Sequence, residues 1–558
     1  MKLTDHLANM KMKPRTYFII VLVSMLVFGL IVPTLISILL GPSLSGPLAY
    51  IVYVIPLFVV FVIAILPLVF SSKAKISTDR MLPQFVTEMA ALATSDMSFD
   101  RILYILSQKK HYGPLADHAK RAYRLIHDYH MSAADACRFL TTKVPSQTEM
   151  DFYNRLAHGL EVGERLERFL KNEQDVIMDE YVLKAESTLK DMDFLKELYT
   201  GLVTSLIFIC VFVSLIPLLG SQPTELLLMG TVLTFLAMEA IFVYFMMTKM
   251  PKDDVWYAWR QKWKQGLVTD SDRIMFTSLL VAVLAMVFLV WLLLPFNLPL
   301  TLFISTVSLP VLIPGIIVLR EERKIEKRDA LFGAFVRSVG RSSSVGGQTM
   351  ADSVRKLSMH KFGALTVPVR NLARRLCLYL NATGSWKHFA AETNSQLINK
   401  FSSLYVECVL NGAKAEPTST FISQNMFKTL AIRKKRNAMA SNFTGVLYGI
   451  MVALSFTLWV TIGITTYMSD MIGNLVITGG TTASGGILTN IFNANFDPAP
   501  LAIMTFAVLV IHAFFSSLIL PLMRGGHPTT AAIHFVILIW VGALSSFAVD
   551  IMLKGVLM

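Results

Sequence analysis

The sequence predicts an all-α polytopic membrane protein with about nine transmembrane helices and two duplicated cytoplasmic helical-bundle domains. Three observations lead there. The 558 residues are 54% hydrophobic with a mean hydropathy of +0.56, too apolar for a water-soluble chain. The apolar residues gather in runs long enough to cross a bilayer. Two polar, helix-periodic blocks interrupt those runs, and the second echoes the first some 250 residues later.

The chain opens with Lys2, Lys11, Lys13 and Arg15, followed by a 24-residue apolar run at 17–40. That run is too long for the core of a signal peptide, so a retained first span is expected. A second follows at about 49–70, closing a membrane helix pair at 1–80. The first block, 81–201, carries apolar residues at helical spacing: Phe85, Met89 and Leu92, then Ile102, Leu103 and Leu106, then Leu156, Leu160 and Phe169. Ser98 and Ser132 each precede such a run and are expected to cap it.

Spans at about 202–219, 226–247, 275–296 and 299–319 make a central membrane section, 202–319. Its loop 248–274 spaces Trp256, Trp259 and Trp263 along one helical face, which predicts an amphipathic helix lying at the interface. The second block fills 320–442. A C-terminal section, 443–558, adds spans at about 443–468, 499–523 and 531–553. Between the first two of these, 469–498 is rich in glycine; it is either a passive connector or a surface facing external partners.

With the N-terminus inside, both blocks lie in the cytoplasm and the C-terminus outside. The outer loops 41–48, 220–225, 297–298 and 469–498 then contain no Lys or Arg. The blocks differ in charge. Residues 71–201 hold 18 Lys/Arg against 20 Asp/Glu, whereas 320–442 hold 21 against 8. In the second block, Arg433, Lys434, Lys435 and Arg436 abut a span, and the positive-inside effect accounts for them. Arg370, Arg374 and Arg375 lie too far from any span for that account. They form a broad basic face on one helix, which Arg355, Lys356 and Lys361 extend. Such a face is either simply solvated or meets an acidic partner, including the acidic stretch of the first block around Glu161, Glu173, Asp175 and Asp179.

Catalytic chemistry is not indicated. SVGGQT at 344–349 has glycines but no P-loop lysine, and no HExxH or GxSxG occurs. The four cysteines are isolated and read as buried small apolar residues; no cofactor, metal or nucleic-acid site is expected. Glu239 and Asp550 are expected as lone membrane-buried acids with a structural role, and His512 and His534 as helix-contact residues.

The repeat is explicit in places. LATSDMSFDRIL (92–103) lines up with SSVGGQTMADSV (343–354), and YGPLADHAKRAYRLI (112–126) with FGALTVPVRNLARRL (362–376). SAADACRFL (132–140) matches GSWKHFAAE (384–392) loosely, and Gly163 falls opposite Ala413. LPQFVTEMAAL (82–92) and HGLEVGERLERFL (158–170) resemble the cytoplasmic helical domain of the type II secretion system F family. Gly159 and Gly163 match its two-glycine helix. The family's turn glycines are replaced near Asp96 and His130 in the first block and matched by Gly346, Gly347 and Gly384 in the second. The two blocks with nine spans are similar to archaeal platform proteins of archaella and adhesive pili. The resemblance implies a non-enzymatic platform in the cell membrane. Its implied partners are a cytoplasmic hexameric secretion or motor ATPase, pilin- or archaellin-like filament subunits, membrane lipid and a second copy of itself as a homodimer. A secondary transporter is the competing class, since the chain is duplicated and carries membrane acids.

Overall fold

The computed structural model describes residues 73–144, 146–216, 224–250, 253–258, 262–263, 265–296, 299–378, 381–478 and 499–557. Apart from one isolated backbone pairing of Trp256 with Ser395, every regular element among them is helical. Seven of these helices are long and apolar enough to cross a membrane. They correspond to the third through ninth predicted spans. The runs at 17–40 and 49–70 lie outside the described residues.

The first block runs from α1 (Lys73–Ala93) through α2 (Phe99–Ser107), α3 (Pro114–His127), α4 (Ala133–Thr141) and α5 (Gln147–Glu161) into α6 (Leu166–Leu215). The membrane section follows as α7 (Thr224–Lys249), α8 (Asp270–Leu293) and α9 (Leu300–Ser308). The second block takes the same order: α10 (Leu312–Gly346), α11 (Met350–Leu357), α12 (Thr366–Cys377), α13 (Ala382–Thr393), α14 (Gln396–Leu410) and α15 (Ala415–Thr478). Finally α16 (Ala499–Arg524) and α17 (Ala531–Leu557) return through the membrane.

Local chemistry explains the punctuation. Ser132 caps α4 by accepting the Asp135 amide at 3.1 Å, and its hydroxyl donates to the Asp135 carboxylate at 2.6 Å. Ser98 stands at the start of α2, but its hydroxyl makes no capping bond. Asp96 (φ 56°) takes the left-handed conformation before α2, and Gly347 (φ 57°) takes it before α11. Asp tolerates that region better than most residues, which is why the first block manages without a glycine there. Gly163 (φ 75°) ends α5 and Gly412 (φ 92°) ends α14, so the structure pairs Gly163 with Gly412 rather than Ala413. Ser132 likewise stands opposite Asn381, the residue that caps α13, and not opposite Gly384. Gly384 lies inside α13 instead of in a turn.

The helix ends matter most for what the fold can do. The sequence boundaries near 201, 319 and 442 all fall inside unbroken helices. At 1.5 Å per residue, the 50 residues of α6 span ~75 Å and the 64 of α15 span ~96 Å. Each begins in one of the two polar blocks and ends in an apolar stretch long enough to cross a membrane. α15 also continues to Thr478, so the glycine-rich stretch begins as helix; its residues from 479 to 498 lie outside the described ones.

Two large apolar cores follow among the described residues. One is shared by both blocks and includes Phe85, Leu103, Phe152 and Leu156 with Phe335, Trp386, Phe401 and Tyr405. The other holds the membrane bundle of α6, α7, α15, α16 and α17, through Val203, Phe235, Leu447, Val508 and Leu538. α8 packs on α10, and α9 on α17, at the side of that bundle. The many exposed apolar side chains of α8, such as Leu284, Val287 and Trp291, are those a lipid-facing helix needs.

The tryptophan stretch departs from expectation. Residues 253–258 run extended, not helical. The Tyr257 amide donates to the Asn394 carbonyl at 2.8 Å, the Gln396 amide to Val255 at 3.1 Å, and the Val255 amide to Gly525 at 3.2 Å. Those backbone bonds outweigh the helical pattern of the three tryptophans. Trp256 instead donates its indole N–H to Glu322 at 2.9 Å, and Trp263 is exposed. Trp259 lies outside the described residues. This strap ties the second block to the α16–α17 connection. Lys262, fully buried, reinforces it through Asp272 at 3.1 Å and through Asn394.

Candidate docking face and coupling network

Helix α12 buries Val369, Leu372, Ala373 and Leu376 on the core and leaves Arg370 and Arg374 on the outside. Neither makes an ion pair among the described residues. Arg355, Lys356 and Lys361 are exposed beside it, with only a 3.4 Å contact from Arg355 to Asp352 one turn away. Met359, Val367 and Leu378 stand out from the same region, 83%, 64% and 72% exposed. Apolar side chains this exposed among unpaired cations make a mixed surface of the kind that protein interfaces use. Arg375 does not belong to it. It turns inward and pairs with Glu392, which also accepts from Asn371 at 3.1 Å.

The acidic stretch of the first block does not meet this face. Asp175 and Asp179 lie 3.9 and 2.7 Å from Lys428 of α15, and Glu186 pairs with Lys435. Glu173 accepts from Arg155 at 2.8 Å within its own block. Deeper in the seam, Gln174 donates to Asn425 at 2.8 Å, and Asn425 donates to Thr87 at 2.7 Å. Lys109 joins Glu88 of α1 to Glu407 of α14. The blocks are therefore bolted along α1, α6, α14 and α15, with the α12 face turned away from the bolts.

The juxtamembrane quartet splits in two. Lys434 and Lys435 are exposed. Arg433 and Arg436 are buried, because the helical period turns them toward the strap. Arg433 donates to both Asp253 oxygens at 2.6 and 2.8 Å and to Asp329 at 2.9 Å. Arg436 caps the C-terminal end of α16 through the Arg524 carbonyl at 2.7 Å. Burial opposes ionisation of Asp253, but the Arg433 and Arg436 charges outweigh it and hold its carboxyl far below the usual range. Burial pushes the Asp329 carboxyl up to about 6, partly offset by Arg433. The same arrangement recurs in the first block. There Asp79 accepts from Ser146, the capping residue of α5, and pairs with Lys184 of α6. In the second block Asp329 accepts from Ser395, the capping residue of α14, and pairs with Arg433 of α15.

Of the motif glycines, Gly159 is needed for packing. A Cβ there would come within 2.8 Å of the Phe169 ring, so α5 and α6 meet closely only with glycine. Gly163 and Gly347 supply left-handed turns, and Gly346 is the last residue of α10. Gly384 has open space beside it, with Asn381 no nearer than 3.9 Å, and neither role requires it.

In the membrane, Glu239 and His512 are not lone groups. They contact each other at 2.8 Å, 273 residues apart, and both are fully buried. Tyr199 donates to the Glu239 carboxylate at 3.0 Å, and Ser516 lies 3.4 Å from the Tyr199 hydroxyl. The cluster pins α6, α7 and α16 together. Asp550 lies within a candidate membrane span and pairs with Lys554, one turn along α17, at 2.7 Å, so it is not a lone group either. His534 meets the Tyr448 hydroxyl at 2.9 Å, a helix contact as expected. Cys137, Cys210 and Cys408 are buried, but Cys377 is exposed at the end of α12. The polar pairings across helices were not legible in the sequence, because nothing in linear spacing links residues hundreds of positions apart.

The family described as type II secretion system (T2SS), protein F matches residues 85–214, which is the first block with the start of its membrane helix. A platform protein of a pilus- or archaellum-like machine is the class that this match and the fold define: a structural membrane protein, not an enzyme. Flagella accessory protein J of Methanocaldococcus jannaschii is 30% identical over 571 residues, covering 99% of this chain and 98% of the relative. That of Methanococcus voltae is 28% identical over 570 residues, covering 99% and 98%. The chain belongs to the flagella accessory protein J family. No solved structure matches it.

Proposed function

We propose that this protein is the membrane platform of an archaellum, anchoring a cytoplasmic hexameric motor ATPase and supporting assembly and rotation of a filament of pilin- or archaellin-like subunits. The observation that carries the reading is the continuity of α6, α10 and α15 from the cytoplasmic blocks into the bilayer. An ATPase pushing on the blocks moves rigid helices, and the membrane bundle receives the motion without a flexible joint. The platform of an adhesive archaeal pilus would use the same device, and a homodimer would double it. A secondary transporter fits less well. The conspicuous repeat lies in the cytoplasmic blocks, and Glu239 and His512 are closed off by each other, not arranged along a path.

The domain map at 1–80, 81–201, 202–319, 320–442 and 443–558 belongs to this reading, with the two blocks as duplicated F-type domains. The matched triads, Asp79 with Ser146 and Lys184, Asp329 with Ser395 and Arg433, support the duplication. The cytoplasmic placement of both blocks belongs to the same reading. A cysteine at Thr481 should react with an impermeant thiol reagent on intact cells, and one at Ser342 should stay silent. Labelling of the Ser342 variant would reverse the topology.

The ATPase is assigned to the face of α12, with Arg355, Lys356, Lys361, Arg370 and Arg374 around Met359, Val367 and Leu378. Arg370→Glu with Arg374→Glu removes two unpaired cations without touching the core. Binding of the ATPase to the full-length protein in nanodiscs should weaken about tenfold or more at low salt and much less at high salt. Unchanged affinity at both ionic strengths would take the docking site elsewhere.

A further inference from the structure

Where the strap meets the seam between the blocks, a cavity of ≈ 240 Å³ opens. Arg80 of α1 and Tyr181 of α6 line it from the first block. Gln396 and Lys400 of α14 and Arg433 of α15 line it from the second, and Asp253 and Asp254 from the strap. Counting the polar groups shows an imbalance. Arg433 is committed to Asp253 and Asp329, and Asp253 to Arg433 and Arg436. Arg80 and Lys400 have no hydrogen-bond or ion-pair partner among the described residues. The side-chain oxygen of Gln396 is buried with no donor facing it.

The lining holds three cations, Arg80, Lys400 and Arg433, against two carboxylates, Asp253 and Asp254, so one positive charge is left over beside the cavity, and a partly enclosed charge needs a counter-charge. The Lys400 ammonium registers this. Burial pushes its pKa down to about 8; Asp253 acts against the shift, while Arg80 and Arg433 add to it. A small anion seated between Arg80 and Lys400 would offset that excess, and a hydroxyl on it would satisfy Gln396. The volume lies below the ~300–1,000 Å³ of drug-sized sites, so it suits a phosphate with a few further atoms, not a nucleotide. The location suits one too. Arg436, one turn along α15 from Arg433, already holds the cytoplasmic end of α16.

We propose that this cavity binds a phosphate-bearing anion, held between Arg80 of the first block and Lys400 of the second, which locks the two blocks at the membrane surface. A soluble phosphate and the phosphate of a lipid headgroup share the chemistry required. The site is separate from the α12 docking face and stands whether or not the ATPase binds there.

The test uses the full-length protein, stripped of lipid in detergent. Lys400 is labelled at pH 8 with a limiting amine-acylating reagent and read by mass spectrometry, with exposed Lys361 as internal reference. Inorganic phosphate or pyrophosphate supplies the soluble arm. Nanodiscs of phosphatidylglycerol, compared with an uncharged galactolipid that lacks phosphate, supply the lipid arm. A bound anion returns Lys400 toward its ordinary pKa near ~10.4 and covers it, so labelling should fall about tenfold or more while Lys361 is unchanged. Protection by phosphate identifies a soluble ligand, and protection by phosphatidylglycerol alone identifies the headgroup. In either case the same ligand should raise the unfolding temperature of the wild type and not that of Lys400→Met or Arg80→Gln. If neither ligand protects Lys400 nor stabilises the wild type, the cavity holds only water and the proposal is overturned.

Discussion

Replacing Arg433 with methionine should destabilise the protein by ~3–5 kcal/mol, the usual cost of removing one member of a buried charge network. The geometry sets the scale. Arg433 makes two hydrogen bonds to Asp253 and one to Asp329. Asp253 keeps Arg436 at 3.7 Å, but Asp329 keeps only the Ser395 hydroxyl and is 2% exposed at its side chain. Nearly all the penalty therefore falls on Asp329, whose carboxyl already sits near about 6 because of burial. A carboxyl raised above its unfolded value opposes folding when ionised. That loss is present above about pH 6 and is relieved as pH falls from about 6 toward 4. Without Arg433 the pKa rises further, so the gap between wild type and variant should narrow as pH falls from the variant's higher pKa to about 6 and level off below that. Asp253 acts in the opposite sense: its stabilisation is present above its unfolded value near ~3.9 and is lost only at more acid pH. Urea unfolding of the full-length protein in micelles, followed by tryptophan fluorescence at pH 7.5 and 5, measures the gap. Adding Asp329→Asn to Arg433→Met should recover about 2 kcal/mol, within the range for directly coupled residues. The reasoning fails if Arg433→Met stays within about 1 kcal/mol of wild type at pH 7.5. It fails equally if the double variant is no more stable than the single one.

Two further outcomes follow from the helices. Ala438→Pro interrupts α15 between Arg433 and the bilayer, costing ~3 kcal/mol and bending the helix. Membrane insertion and ATPase binding should survive while filament assembly is lost, and normal filament counts by electron microscopy would discredit rigid coupling. Glu239→Gln should preserve assembly at normal protein level, whereas Glu239→Leu leaves Tyr199 and His512 without their acceptor and should cost ~1–3 kcal/mol in the same unfolding assay. Loss of filaments in the glutamine variant at normal protein level, together with sensitivity of wild-type assembly to an uncoupler, would instead revive a proton-conducting role.

Periodicity and run length made the helices, the membrane sections and the two blocks legible, because a bilayer and a 3.6-residue turn impose patterns on consecutive residues. The capping role of Ser132 and the turn at Gly163 were legible for the same reason: each acts within four residues of itself. The exposed basic face of α12 was readable as far as Arg370 and Arg374. Arg375, 100° further round the helix, was captured by Glu392, which the chain brings back only after the α12–α13 turn. The tertiary structure alone decided the rest. Arg433 and Lys434 are neighbours of like charge, yet one is buried on Asp253, 180 residues away, and the other faces solvent. Trp256 has a helical pattern but lies in an extended strap, because Asn394 and Gln396 offer its neighbours backbone partners. Glu239 found His512 only when α7 packed on α16. A sequence carries the consequences of short-range geometry along its length, whereas charge pairing depends on which distant surfaces the packed cores bring within hydrogen-bond reach.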